Sequence, residues 1–121
     1  LADGHLCACA IALAAVVVPL MRAPIVPTAE GVTRQVLAQN PALMLVEFRF
    51  ATGAIGALHQ HPHVQASYVQ SGRFRFTRGD EVVDLAAGDS LMIAAHQPHG
   101  CLCLEAGVLI DSFAPMREDF L

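Results

Sequence analysis

GAIGALHQHPHVQASYVQSG, residues 53–72, holds three of the chain's six histidines within five positions and is bounded by glycines. His59, His61 and His63 alternate, and Gln65 continues the alternation. Side chains two apart on an extended strand point to the same face. His59, His61 and Gln65 therefore meet at one point if the strand curls or a turn intervenes near Pro62. Imidazole nitrogens are ligands for zinc, nickel, copper and iron. The Gln65 amide oxygen is a weaker, neutral ligand. His99, in the second cluster HQPHG (residues 96–100), is a fourth candidate. Clusters so far apart in sequence imply a site that the fold assembles. The competing reading is a set of surface or hydrogen-bonded structural histidines. The tract is too internal for an expression tag.

On either side of this stretch the pattern is that of strands. In LMLVEFRF (43–50), Met44, Val46, Phe48 and Phe50 share one face, and Glu47 and Arg49 the other. In RFRFT (73–77), Phe74 and Phe76 point inward and Arg73 and Arg75 outward. EVVDL, SLMIA, CLCLE and VLIDSF follow. Turns are expected at TGAIG, Ser71-Gly72, Arg78–Glu81, residues 86–89 and Glu105–Gly107. About eight or nine short strands with glycine-rich turns and no amphipathic helix predict an all-β sandwich or barrel.

Length and composition bound the function. At 121 residues the chain is one domain. An apolar fraction of 55% with 15% charged residues excludes disorder. The net charge is −4, and the basic residues cluster only at Arg73, Arg75 and Arg78. Phosphate neutralisation needs a basic surface, and the first aromatic is Phe48 with no Trp, so a nucleic-acid partner is not expected. The cysteines form two C-x-C pairs, Cys7/Cys9 and Cys101/Cys103, unlike the C-x-x-C of zinc ribbons. Cys101 and Cys103 share the face of His99 by parity. They read as small buried hydrophobes, a thiolate ligand at Cys101 being the alternative. No disulfide is demanded.

Residues 1–22 are apolar and interrupted by Pro19, too short a run to span a membrane as a helix. A translated leader upstream of Met21, a cleaved signal and a packed element all fit them. A cytoplasmic location is expected, or a periplasmic one if they are a signal. Residues 23–41 read as an extended arm with a strand at Thr33–Ala38. Residues 42–121 read as the barrel.

The order of these features resembles the cupins, single-domain jelly-roll (double-stranded β-helix) barrels. Gly53, His59, His61, Gln65 and Gly72 fall on their first motif, with Gln where most cupins have Glu. Gly88 and His99 fall on the second, with Ala94, His96 and Cys103 departing from it. A closer resemblance runs from about Val36 to Leu121, through GAIG, the HQHPHVQ stretch, SYV and VLIDSFAPMREDFL. It is to the KdgF-type pectin degradation proteins, which also use the Gln.

That resemblance implies metal ligands His59, His61, Gln65 and His99, with His63 a neighbour, around one divalent ion: nickel, zinc, manganese or iron. It implies catalytic residues Asp111, Phe113 and Arg117, and conversion of 4,5-unsaturated uronates to linear 5-keto-4-deoxyuronate. The partners implied are a small anionic sugar and, through the arm or a sheet face, a second copy in a homodimer. Two rival functions use the same ligands: a metal-dependent cupin oxygenase or isomerase for another small acid, and a non-catalytic sugar-acid-binding cupin. Taken alone, Asp111 could pair with Arg117 or a backbone amide. Arg117 could be a surface charge, Phe113 and Phe120 core plugs, and Tyr68 a pocket or barrel residue. Arg73 and Arg75 read as a solvated face, and His96 as a loop residue or a partner to a ligand.

Overall fold

The computed structural model describes residues 22–121. The leader and its Cys7/Cys9 pair lie outside that range, apart from Arg22. Eight strands follow in order: β1 (Val26–Ala29), β2 (Val32–Asn40), β3 (Leu43–Phe50), β4 (Ile55–His59), β5 (Val64–Arg78), β6 (Glu81–Ala86), β7 (Ser90–Ile93) and β8 (His99–Ala114). One 3-10 turn at Glu118–Phe120 is the only helical element among the described residues. Every pairing is antiparallel, in the order β1-β2-β3-β8-β5-β6. β4 pairs with β8, and β7 with β5. The fold is the all-β, single-domain barrel expected.

The long strands β5 and β8 are its axis. Each bends midway and serves different neighbours with its two halves. β5 pairs with β7 through Gln65–Tyr68 and with β6 through Arg73–Arg78. β8 pairs with β4 near His99–Leu102 and with β3 through Gly107–Phe113. The expected turns at Ser71-Gly72 and Glu105–Gly107 are therefore bends within continuous strands. Ladder irregularities between Val69 and Phe74 mark the β5 bend. Gly72 has φ +79°, and a Cβ there would strike the Glu105 and Ala106 carbonyl oxygens. A Cβ on Gly107 would strike the Ser71 carbonyl. Backbone meets backbone here, and no side chain can turn aside. Gly107→Ala is expected to cost about 3 kcal/mol by overpacking, read as a lower denaturant midpoint in metal-free protein.

The expected parity holds in the core. Phe74 and Phe76 are buried, and Arg73 and Arg75 are exposed, in ion pairs with Glu105 and Asp84. Val69, Phe74, Ile93, Cys103 and Leu109 fill one half of the interior. Met44, Val46 and Phe113 fill the other, with Phe48 packed against both clusters. The segment expected as an extended arm carries two strands. Its predicted strand at Thr33–Ala38 is the middle of β2, which pairs with β3 along Val32–Asn40.

Candidate metal centre

The chain leaves β4 at His59, crosses a four-residue loop containing Pro62, and enters β5 at Val64. A turn near Pro62, not a curled strand, is what turns His61 and Gln65 inward. The backbone N–H of His96, which sits at φ 62°, donates to the His61 carbonyl at 2.7 Å and pins the loop. The exposed His96 side chain takes no part. His59 faces His99 directly across the β4–β8 ladder, their rings 4.3 Å apart.

One ring nitrogen from each of His59, His61 and His99 lies within 4.8 Å of the others, so the three can hold a metal ion. Their tautomers are set locally. Nδ1 of His59 meets the Ala57 carbonyl at 2.8 Å, that of His61 the His63 carbonyl at 3.0 Å, and that of His99 the Gln97 carbonyl at 2.8 Å. A carbonyl only accepts, so Nδ1 carries the proton and Nε2 keeps a lone pair. His99 Nε2 is buried with no hydrogen-bond partner. Burial holds His99 down at about 4, and burial also lowers His61, so both rings are neutral at pH 7.

Gln65 sharpens the geometry. Its Nε2 donates to Ser67 Oγ at 3.0 Å and to Asp111 Oδ2 at 3.3 Å, which turns Oε1 toward His61 Nε2 at 2.9 Å. With Nδ1 protonated, those two facing atoms are both acceptors. Two facing neutral acceptors are a pair that a cation could share.

Asp111 lies beside this cluster, opposite Ser67 across the β5–β8 ladder. It is 5% exposed, and its Oδ1 has no partner. Burial pushes its carboxyl up to about 7, against a smaller downward pull from the Ser67 hydroxyl. It is bonded to Gln65 and Ser67, neither to Arg117 nor to a backbone amide. A cavity of about 290 Å³ opens over the cluster and is lined by His59, Gln65, His99, Asp111, Phe113 and Arg117, among others. Phe113 is 2% exposed and meets His61 edge-on with ring centroids at 5.7 Å, so it serves both core and cavity wall.

Two expectations need correction. Tyr68 is 46% exposed on the outer face, because Gln65, Ser67 and Val69 take the inward parity. Arg117, implied as a catalytic residue or read as a partner of Asp111, instead binds both Asp119 oxygens through Nε and Nη2 at 3.0 and 2.8 Å. Cys101 lines the cavity as a neutral thiol pushed up to about 12 by burial, in line with the small buried role read for it. His63 lies 5.4 Å from the His61 ring by centroid and supplies a carbonyl to it.

The sequence reading missed Arg34 and the position of Phe120. Both line the cavity, and the Arg34 guanidinium sits 4.1 Å from the Phe120 ring centroid. A signal existed: Arg34 shares its parity with Val32 and Val36, the inward face of β2. A charge on an inward strand position is costly unless it is used.

A bent antiparallel barrel with three histidines that could hold a metal ion at its cavity defines the class. Residues 46–110 match the family described as Cupin domain, and the chain belongs to the cupins. It is 42% identical over 94 residues to the pectin degradation protein KdgF of Dickeya dadantii (strain 3937), covering 76% of this chain and 86% of that one. Among solved structures it is similar to an RmlC-like cupin from Shewanella frigidimarina NCIMB 400. That match has TM-score 0.79 and 41% identity, over 82% of this chain and 89% of the other. It is also similar to KdgF from Halomonas sp., with TM-score 0.78 and 36% identity, over 81% and 91%.

Proposed function

We propose that the protein is a metal-dependent enzyme that converts 4,5-unsaturated uronate monosaccharides to linear 5-keto-4-deoxyuronate. The observation that carries this reading is the Gln65 amide. Its oxygen faces the histidine cluster and its nitrogen holds a buried, ionisable Asp111 at the same cavity. The similarity to two KdgF proteins supports the substrate class. His59, His61 and His99 through Nε2, and Gln65 through Oε1, would hold one divalent ion. When bound, that ion supplies a Lewis acid for substrate oxygens and for developing enolate charge.

The chain's own groups account for the protons. The reaction is an isomerisation with no net proton change. The anomeric hydroxyl loses its proton and the bond between the anomeric carbon and the ring oxygen breaks. An aldehyde forms, and the ring oxygen becomes the enol oxygen on C5. A proton delivered to C4 then gives the C5 ketone. Ionised Asp111 takes the first proton and returns one to C4. A carboxyl held at about 7 can play both parts at neutral pH. Phe113 walls the sugar face, with the Asp119-paired guanidinium of Arg117 5.2 Å from its ring centroid. The neutral His₃Gln set leaves the ion's charge for an anionic substrate.

The test is turnover of 4,5-unsaturated galacturonate, followed as loss of its ultraviolet absorbance against the spontaneous rate. Metal-loaded protein should exceed that rate, chelation should remove the excess, and added metal should restore it. A chelator-insensitive rate would count against the metal. No rate above background with metal bound would move the reading to another small acid or to binding alone.

A further inference from the structure

We propose that Arg34, from the N-terminal arm, is the group that receives the substrate's carboxylate, and not Arg117. This rests on the uronate reading above and names the contact that would make it selective for acids.

The chain has seven arginines and no lysine. Five of the seven are ion-paired: Arg49 with Glu47, Arg73 with Glu105, Arg75 with Asp84, Arg78 with Glu81 and Arg117 with Asp119. Arg22 is exposed at the start of the described residues. Arg34 has no carboxylate partner among them, although it is half-buried and lines the metal-site cavity. A guanidinium in that position is either an unrewarded cost or a receptor.

Its surroundings favour the receptor. The Arg34 and Arg117 guanidiniums lie 4.1 and 4.3 Å from the centroid of the same Phe120 ring. Stacking on an aromatic face orients a guanidinium and leaves its in-plane N–H groups open. Those groups match a planar carboxylate two at a time. Arg117 already spends its matching edge on Asp119. Arg34 is anchored in β2 by pairing with Phe48 across the ladder, so the arm supplies part of the cavity lining and a guanidinium with no carboxylate partner among the described residues. His59, His99 and Asp111 line the same cavity, Asp111 two strands from Arg34 across β3, so a carboxylate held on Arg34 would keep the sugar beside these groups.

The test is calorimetric binding of D-galacturonate, with D-galactose as its uncharged counterpart, to metal-loaded protein. Wild type should prefer the acid. Arg34→Gln should weaken galacturonate binding by about 10- to 100-fold, as expected for a lost charge-assisted pair, and level the two sugars. Arg34→Lys keeps charge and stem but not the fork, and should fall between. Arg117→Gln should retain most of the preference. Metal content and melting temperature show that each variant is folded. If Arg34→Gln keeps the preference, or wild type shows none, the inference fails. If the Arg34-dependent preference is present but wild type does not turn over the unsaturated uronate, the linearising function fails and the carboxylate site stands.

Discussion

Asp111→Asn is expected to lower turnover of 4,5-unsaturated galacturonate by about 10²- to 10⁴-fold, the usual contribution of a positioned acid–base group, with metal per chain unchanged. Asn is isosteric and keeps an oxygen to accept from Gln65 Nε2, so the amide still turns Oε1 toward His61. What disappears is the transferable proton. A second readout separates chemistry from architecture. In metal-free protein the folded carboxyl sits at about 7, above its ordinary value of 3.8. Between those values the folded chain retains a proton that the unfolded chain has released. Stability is therefore lost as pH rises from about 4 to about 7, by at most about 4 kcal/mol at pH 8. Asn carries no such cost. The metal-free variant should melt above metal-free wild type at pH 8, and the gap should close at pH 4. An Asp111 that only braced the strand would give the reverse order. Full activity in the variant would remove it from the mechanism.

How far such a site can be read in advance depends on which contacts are local. Strand parity put Phe74 and Phe76 inside, because a two-residue period needs no knowledge of partners; for His59, His61 and Gln65 it needed the turn at Pro62 as well, since a loop separates β4 from β5. It could not show that β5 and β8 run unbroken through Gly72 and Gly107. A glycine that permits a turn and one that permits two backbones to touch look the same in sequence; only the crossing of Ser71 over Gly107 tells them apart. The arm was the larger omission. Its prolines at 24, 27 and 41 suggest extended chain, and they mask the inward alternation of Val32, Arg34 and Val36. Arg117 shows the same limit from the other side. A motif match gives the residue, but its engagement with Asp119, two residues on, is a matter of rotamers.

His99→Ala is expected to weaken metal binding by about 10²-fold or more, since losing even a group that only supports a ligand costs 10- to 100-fold, and to bring turnover down to the chelated rate. His99 is the cleanest ligand to remove. Its Nε2 has no partner in the metal-free fold, so deletion breaks no hydrogen bond from that atom, only the Nδ1 contact to the Gln97 carbonyl. In chelator the variant should therefore unfold cooperatively, with a modest loss from the small cavity left behind. The decisive difference is the response to metal. An ion that binds only the folded chain raises its melting temperature in proportion to the logarithm of free ion over Kd. Wild type should gain on titration with nickel or zinc, and His99→Ala should gain little. Gln65→Glu gives the opposite sign. A carboxylate at that position should hold the ion more tightly, yet lower turnover, because it puts a second negative charge against Asp111 and against the incoming acid. Equal metal responses in wild type and His99→Ala would show that the three histidines do not act together on one ion. Loss of metal in His99→Ala alongside gain of metal and loss of rate in Gln65→Glu would mean that this barrel keeps Gln65 for substrate charge and not for affinity.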